Sequence, residues 1–282
     1  MNNFDEVNSL RDRLKNVRKR TGTDMTILLR KYFIDGFLYL LSQSEYQKNF
    51  IWKGGFVLSA ITGIQHRTTV DLDTMLQGVS LKTDELTEII NEIIDGKRYD
   101  GVSYLLIDIQ QIQEEKDYTG QRVRILATID NLKDIFHLDI ATGETLVPNE
   151  IAFSYKPLLG NQKIPLLIYR PERILSEKLQ TVLYRGILNT RMRDFYDIYV
   201  LNQTKQINFK ILQVAFSYVI KNRHTSSEWE NWQEIISLIR TDKHFQRNWQ
   251  QYANKHSFVK DLSFDDVINT TESILENLSF SS

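Results

Sequence analysis

The chain contains no cysteine. That excludes a disulfide framework and thiolate metal sites, and it fits a reducing compartment. Proline and glycine are scarce, 4 and 12 among 282 residues, which argues against long linkers and favours packed helices. No apolar run approaches the roughly 18 residues of a membrane span, so no membrane partner is expected. The N-terminus, Met1-Asn2-Asn3-Phe4-Asp5-Glu6, lacks the positive and apolar segments of a secretory signal. The expected location is therefore the cytoplasm. Neither sign of charge dominates: 35 Lys and Arg against 36 Asp and Glu leave a formal net charge of -1. No overall basic field announces nucleic acid, although a local basic patch stays open. The 5 histidines show no ligand spacing such as His-x-x-x-His, so no zinc site is expected.

What is present suits one large or two ordinary globular domains: 41% apolar residues beside 25% charged. Periodicity predicts helices over 4–19, with Leu10, Leu14 and Val17 on one face, and from Thr23 or Asp24 to about Ser44. Phe50-Ile51-Trp52 is a short β-prone run, and Phe56 to Ile64 a short helix. Val70 to Leu76 alternates as a strand does. A helix follows from Ser80 to Asp95, then strands over Val102 to Ile112, Arg122 to Ile129 and Ile135 to Ile140, with a polar turn from Glu114 to Gly120. The last third is helical: Pro171 to Arg185, a helix from Asn189 or Thr190 through Leu201, and segments over 208–222, 227–241, 243–256 and 264–279. Pro157, Gly160 and Pro165 interrupt the pattern, so the division falls between domains 1–165 and 166–282.

The most informative stretch runs from Lys53-Gly54-Gly55 to Asp71-Leu72-Asp73. Glycines at 54 and 55 let backbone N–H groups approach an anion, and the helix behind them points its N-terminus the same way. Asp71 and Asp73, two residues apart on one strand face, have Cα atoms roughly 7 Å apart. Two carboxylates so placed suit Mg²⁺, which takes one or two carboxylates plus substrate phosphates. Either signal alone also fits a bland alternative, a tight turn or two solvated aspartates. Asp139 lies in the apolar run Ile135 to Ile140 and offers a third carboxylate. Farther on, Glu177-Lys178 sits mid-helix, and Arg191-Met192-Arg193-Asp194-Phe195-Tyr196-Asp197 follows. Lys178 and Arg193 can neutralise triphosphate charge, and Asp194 and Asp197 share a helix face. The same residues also suit a structural ion-pair network between two helices.

These residues, with Arg67-Thr68-Thr69 just before the acids, resemble the AbiEii-like nucleotidyltransferases. Those are the toxins of type IV abortive-infection systems, within the DNA polymerase β-like superfamily. The resemblance spans roughly residues 50–200. It implies an α+β fold, a nucleotidyltransferase (polymerase β-like) mixed sheet with helices followed by an α-helical bundle domain, and a groove between them. It implies Mg²⁺ and a nucleoside triphosphate, GTP or CTP favoured, with RNA as acceptor, foremost the tRNA 3′ end. It implies growth arrest and a separately encoded antitoxin. Residue by residue, Asp71 and Asp73 match the metal-binding pair with Asp139 as a third metal ligand, Lys178 the essential lysine and Asp194 the late aspartate, and Asp71, Asp73, Lys178 and Asp194 are the expected catalytic residues. Gly54, Gly55, Arg67, Thr69 and Arg193 are the expected nucleotide contacts. One departure is Gly55, where the superfamily often has serine; Ser59 or a backbone amide would have to substitute. Transfer to a protein side chain, or a non-catalytic nucleotide- or RNA-binding module, are the alternatives.

Other features carry less. Trp52, Tyr169, Tyr184, Phe195, Tyr196 and Tyr199 suit a core, although a base can stack on such rings. The basic turns Lys221-Asn222-Arg223-His224 and Lys243-His244-Phe245-Gln246-Arg247 fit either solvated helix ends or contacts to an RNA backbone.

Overall fold

Helix spacing at the start of the chain sets up the first packing layer. A computed structural model describes residues 3–64, 69, 71–115, 118–142, 145–204 and 207–279. Helix α1 (Asn3–Thr21) turns Leu10, Leu14 and Val17 into the core. Helix α2 (Met25–Ser42) begins at Asp24, whose carboxylate accepts the Thr26 N–H at 2.8 Å. It is apolar nearly all round, burying Leu28, Phe33, Phe37, Leu38 and Leu41, as a helix enclosed by other elements must.

The middle builds one sheet. It comprises β1 (Phe50–Lys53), α3 (Gly54–Thr62), β2 (Leu72–Leu76), α4 (Thr83–Ile94), β3 (Arg98–Tyr99), β4 (Val102–Glu115), β5 (Tyr118–Ile129), β6 (Leu132–Ala141), β7 (Ile151–Tyr155) and β8 (Ile164–Ile168). The 8 strands are ordered β3-β4-β5-β6-β2-β1-β8-β7. The β2–β6 and β1–β8 pairs are parallel and the others antiparallel, so the sheet is mixed. Gly36 lets α2 lie close to it: a Cβ there would overlap the Tyr104 hydroxyl, which donates to the Phe33 carbonyl at 2.8 Å.

Several boundaries differ from expectation. Helix α3 begins at Gly54 rather than Phe56, and α4 at Thr83 rather than Ser80. Strands β4 and β5 run into the expected polar turn Glu114 to Gly120, β4 as far as Glu115 and β5 from Tyr118; residues 116 and 117 lie outside the described set. Strand β2 starts at Leu72, and Val70 lies outside the described residues. Strands β7 and β8 were not expected, because Pro157, Gly160 and Pro165 read as punctuation. Pro157 and Gly160 in fact lie in the connection, and Pro165 precedes Leu167 and Ile168, the residues that pair with β1.

The chain forms two compact units. One is Met1–Thr145 with Glu150–Tyr169; the other is Leu146–Asn149 with Arg170–Ser282. The second unit is helical: α5 (Pro171–Arg185), α6 (Met192–Gln203), α7 (Phe209–Asn222), α8 (Ser226–Glu230), α9 (Trp232–Thr241), α10 (Lys243–Lys255) and α11 (Phe264–Ser279). The single helix expected over 227–241 breaks at Asn231 into α8 and α9. Phe195 of α6 meets Phe245 and Phe264 at ring-centroid distances of 5.8 and 6.2 Å, which ties α6, α10 and α11 together. The architecture is the expected α+β class, a mixed sheet with helices and then a helical bundle. Among the described residues, no helix is long and apolar enough to cross a membrane.

Candidate active site

Four neighbouring strands each place one charged residue in a single row. Lys53 on β1 is opposite Asp73 on β2, Asp73 is opposite Asp139 on the parallel β6, and Asp139 is opposite Arg122 on β5. Residues opposite one another on adjacent strands share a face. The row therefore reads positive, negative, negative, positive, and the outer cations offset the repulsion between the inner carboxylates.

Arg122 grips Asp139 with a two-point fork. Its Nε donates to Oδ1 and its Nη2 to Oδ2, both at 2.7 Å. The Asp139 hydrogen bond raises the Arg122 pKa; burial opposes it, and the charges of Asp139, Asp71 and Asp73 add to the rise. All three acids named from sequence thus act on one guanidinium. Sequence reading missed Arg122, although a signal existed. Strands β5 and β6 are joined by the two-residue turn Asp130-Asn131, with Ile129 opposite Leu132. Such a turn fixes the register, and counting outward from that pair puts Arg122 opposite Asp139.

Asp71 stands just outside β2 rather than on it, is exposed, and donates its N–H to Thr69 Oγ1 at 3.3 Å. Arg30 also feels it: the Asp134 hydrogen bond is the main upward push on Arg30, burial opposes, and the charges of Asp134 and Asp71 contribute. Arg67 lies outside the described residues. At the other side of Asp73, Gly54 adopts φ +62°, and a Cβ there would overlap Asp73 Oδ2. Glycine is needed at this position for both reasons. Lys53, the cap residue of α3, provides no side-chain hydrogen bond to the first turn. Ser59, the suggested substitute for the missing serine, is buried with its hydroxyl unbonded, so it is not presented to a ligand.

The helical unit holds the remaining residues. Lys178 Nζ on α5 donates to Asp194 Oδ1 at 2.5 Å and lies 3.0 Å from Asp197 Oδ2, both acids on α6. Met192 in the first turn of α6 and Leu179 beside the lysine are buried, so the packing of α5 on α6 delivers the two carboxylates to one ammonium. Burial alone would lower the Lys178 pKa; the charges of Asp197 and Asp194 outweigh it, and the net shift is upward. One cation thus meets two buried carboxylates, and Asp194 Oδ2 has no hydrogen-bond partner. Arg193 is exposed on the same helix. Glu177 accepts a hydrogen bond from Arg173 Nε at 2.9 Å.

The donor set bears on the expected divalent ion. Among the described residues, no three His, Cys, Asp or Glu side chains gather tightly enough to hold a metal by themselves. Asp139 has both oxygens engaged by Arg122. Asp71 and Asp73 offer two carboxylates as hard oxygen donors, a number that suits Mg²⁺ when phosphate oxygens complete its shell. The residues fit the ion in that two-carboxylate form.

Residues 36–270 match the family described as "Nucleotidyl transferase AbiEii toxin, Type IV TA system". No curated protein matches the chain. Among solved structures, JHP933 from Helicobacter pylori is 13% identical, with 92% of this chain and 96% of that one aligned at a TM-score of 0.54, a likeness of fold. A second H. pylori protein, described as a candidate nucleotidyltransferase, is 14% identical over 92% of this chain and 99% of that one, at a TM-score of 0.48.

Proposed function

Because the chain belongs to the nucleotidyl transferase AbiEii toxin family of type IV toxin–antitoxin systems, we propose that it is a metal-dependent enzyme that transfers a nucleotide from a nucleoside triphosphate to RNA. The acceptor is the 3′ end of tRNA, and the consequence is a block of translation and growth. The observation that carries this reading is the register of Asp73 with Asp139 beside a helix that begins at Gly54.

Asp71 and Asp73 would hold the divalent ion. Mg²⁺ bound there would offset phosphate charge and favour the deprotonated form of the attacking hydroxyl. The first backbone N–H groups of α3 receive phosphate oxygens. Asp139, fixed by Arg122, keeps a second negative charge beside Asp73 without drifting into its place. Lys178 neutralises triphosphate charge, with Asp194 orienting the ammonium, and exposed Arg193 adds a second cation. The acceptor 3′ oxygen bonds to the α-phosphorus while the bond from that phosphorus to the bridging oxygen breaks. Pyrophosphate leaves with the bonding pair. Such transfer is mostly positioning and electrostatics, which this residue set can supply. A separately encoded antitoxin is the expected partner.

The test is incubation of the purified protein with each α-labelled nucleoside triphosphate, Mg²⁺ and total RNA. Label entering RNA with release of pyrophosphate is expected, and Asp73→Asn should abolish it. Label on protein alone, or none with any nucleotide, overturns the reading.

A further inference from the structure

We propose that the solvent face of α10 is the surface on which this protein holds the phosphate backbone of its RNA; the inference rests on the RNA reading above. From Lys243 to Lys260 the chain carries Lys243, Arg247, Lys255 and Lys260, with His244 and His256, and no Asp or Glu. This occurs in a protein whose formal net charge is -1. The local excess of cations is therefore a feature of this segment.

Packing decides which way those side chains face. Helix α10 buries Phe245, Trp249 and Ala253, and Trp249 Nε1 donates to the Leu262 carbonyl at 3.0 Å. The opposite face is left to solvent. There Lys243, Gln246, Arg247 and Gln250 line a shallow, open depression of about 460 Å³. Two cations and two carboxamides can donate hydrogen bonds to phosphate oxygens and ribose hydroxyls, and none brings a negative charge. Among the described residues, Arg247 hydrogen-bonds within its own helix, to the Lys243 carbonyl at 3.3 Å and His244 Nδ1 at 3.1 Å. Among the described residues, none of Lys243, Arg247, Lys255 and Lys260 pairs with a carboxylate.

Local stability does not account for the arrangement. Lys243, His244 and Arg247 occupy the first two turns of α10, where the helix dipole favours acids. Asp242, the cap, is the one acid there. Helix α11 has the reverse composition, with Asp265, Asp266, Glu272 and Glu276 and no Lys or Arg. Charge is thus segregated between α10 and α11, whereas α5, α6 and α9 mix both signs, so α10 is the helix of this unit that suits a polyanion. From Lys243 to Lys255 the face runs about 18 Å at 1.5 Å per residue, long enough to meet several phosphates. Nothing in it reads bases, so it positions RNA without selecting sequence.

The test uses the full chain with Lys243→Gln, Arg247→Gln and Lys255→Gln combined, and Arg247→Gln alone. These side chains are exposed, so circular dichroism and Tm should match the parent. Binding to fluorescein-labelled tRNA transcripts is followed by anisotropy across NaCl concentrations. The triple variant should lose about tenfold or more in affinity, and its salt slope should fall by about 2 to 3, near one per lost phosphate contact. Arg247→Gln should show a smaller loss in the same direction. In the transfer assay KM for RNA should rise, with KM for the nucleotide and kcat unchanged. Asp265→Asn with Glu276→Gln should not weaken RNA binding. Unchanged affinity and salt slope in the triple variant overturn the proposal, even where transfer to RNA persists. Loss of binding to anionic vesicles or to an acidic peptide, with RNA affinity intact, overturns it also. If the parent binds RNA through this face but transfers no nucleotide, the surface stands and the enzymatic reading fails.

Discussion

The backbone of Gly54 lies directly against the carboxylate of Asp73. A Cβ built on Gly54 would overlap Oδ2 and stand 3.1 Å from the carboxyl carbon, at a φ of +62°. The start of α3 and the central acid of the sheet row are therefore fitted to each other, and neither can shift without the other.

Gly54→Ala tests that fit. The left-handed backbone alone costs an L-residue roughly 1–2 kcal/mol, and the methyl must also push Asp73 aside. Thermal unfolding should show a lower Tm, and nucleotide transfer should fall toward the level of Asp73→Asn. An Ala variant with parental activity would show that the position of Asp73 is not critical.

Arg122→Gln tests the other end of the row. The variant loses the two-point grip on Asp139 and leaves Asp139 beside Asp73 with less positive charge nearby. A unit charge about 6 Å away in a solvated setting is worth on the order of 1 kcal/mol. Mn²⁺ should therefore bind the nucleotide-free protein several-fold more tightly, as read by electron paramagnetic resonance. Transfer should nevertheless drop, because Asp139 is no longer held in one orientation. Equal Mn²⁺ affinity in both proteins would show that Arg122 and the ion do not share a site.

Much of this arrangement was legible in the sequence, and the gaps have physical causes. Period-2 alternation located β2, and an apolar run located β6, and hence Asp73 and Asp139 on strands. Their pairing was not legible, because β2 and β6 are parallel neighbours joined by a long connection, and no turn sets that register. Arg122 was legible in principle, since the Asp130-Asn131 turn fixes its hairpin, yet an isolated arginine in a strand carries no motif. Strands β7 and β8 were hidden by Pro157, Gly160 and Pro165. The segment Leu146–Asn149 joins the helical unit through contacts that local spacing does not encode. On α5 and α6 the spacing of Asp194 and Asp197 implied one face, but only packing shows both carboxylates reaching Lys178.

Alkaline pH should unfold the sheet unit early. Burial raises the pKa of Tyr32, Tyr104 and Tyr155; a hydrogen bond to Asp100 adds to it for Tyr32, and the charge of Asp35 for Tyr155. Each keeps its proton in the folded chain above the ordinary value of 10. Once the pH passes that value, the unfolded chain loses these protons and the folded chain does not. Stability is thus complete below pH 10 and falls as the pH rises, by up to about 1.4 kcal/mol per unit for each tyrosine. Tm should be flat near neutrality and decline above pH 10, with the share of tyrosinate absorbance due to Tyr32, Tyr104 and Tyr155 appearing only on unfolding. Tyr104→Phe should make the decline shallower; an unchanged slope would remove Tyr104 from the account.

Lys178 poses the sharpest test, because its loss should damage both fold and chemistry. The lysine is drawn between Asp194 and Asp197, all three largely buried. Lys178→Met leaves two carboxylates facing each other without it, and breaking a buried pair in this way costs roughly 3–5 kcal/mol. Inactivity of that variant alone would not separate the two roles. Lys178→Met combined with Asp194→Asn and Asp197→Asn removes all three charges, and urea unfolding should return most of the lost stability. If Lys178 serves the triphosphate, this triple variant stays inactive while folded, with transfer down by at least a hundredfold. If it regains transfer, the lysine holds α5 to α6 and nothing more.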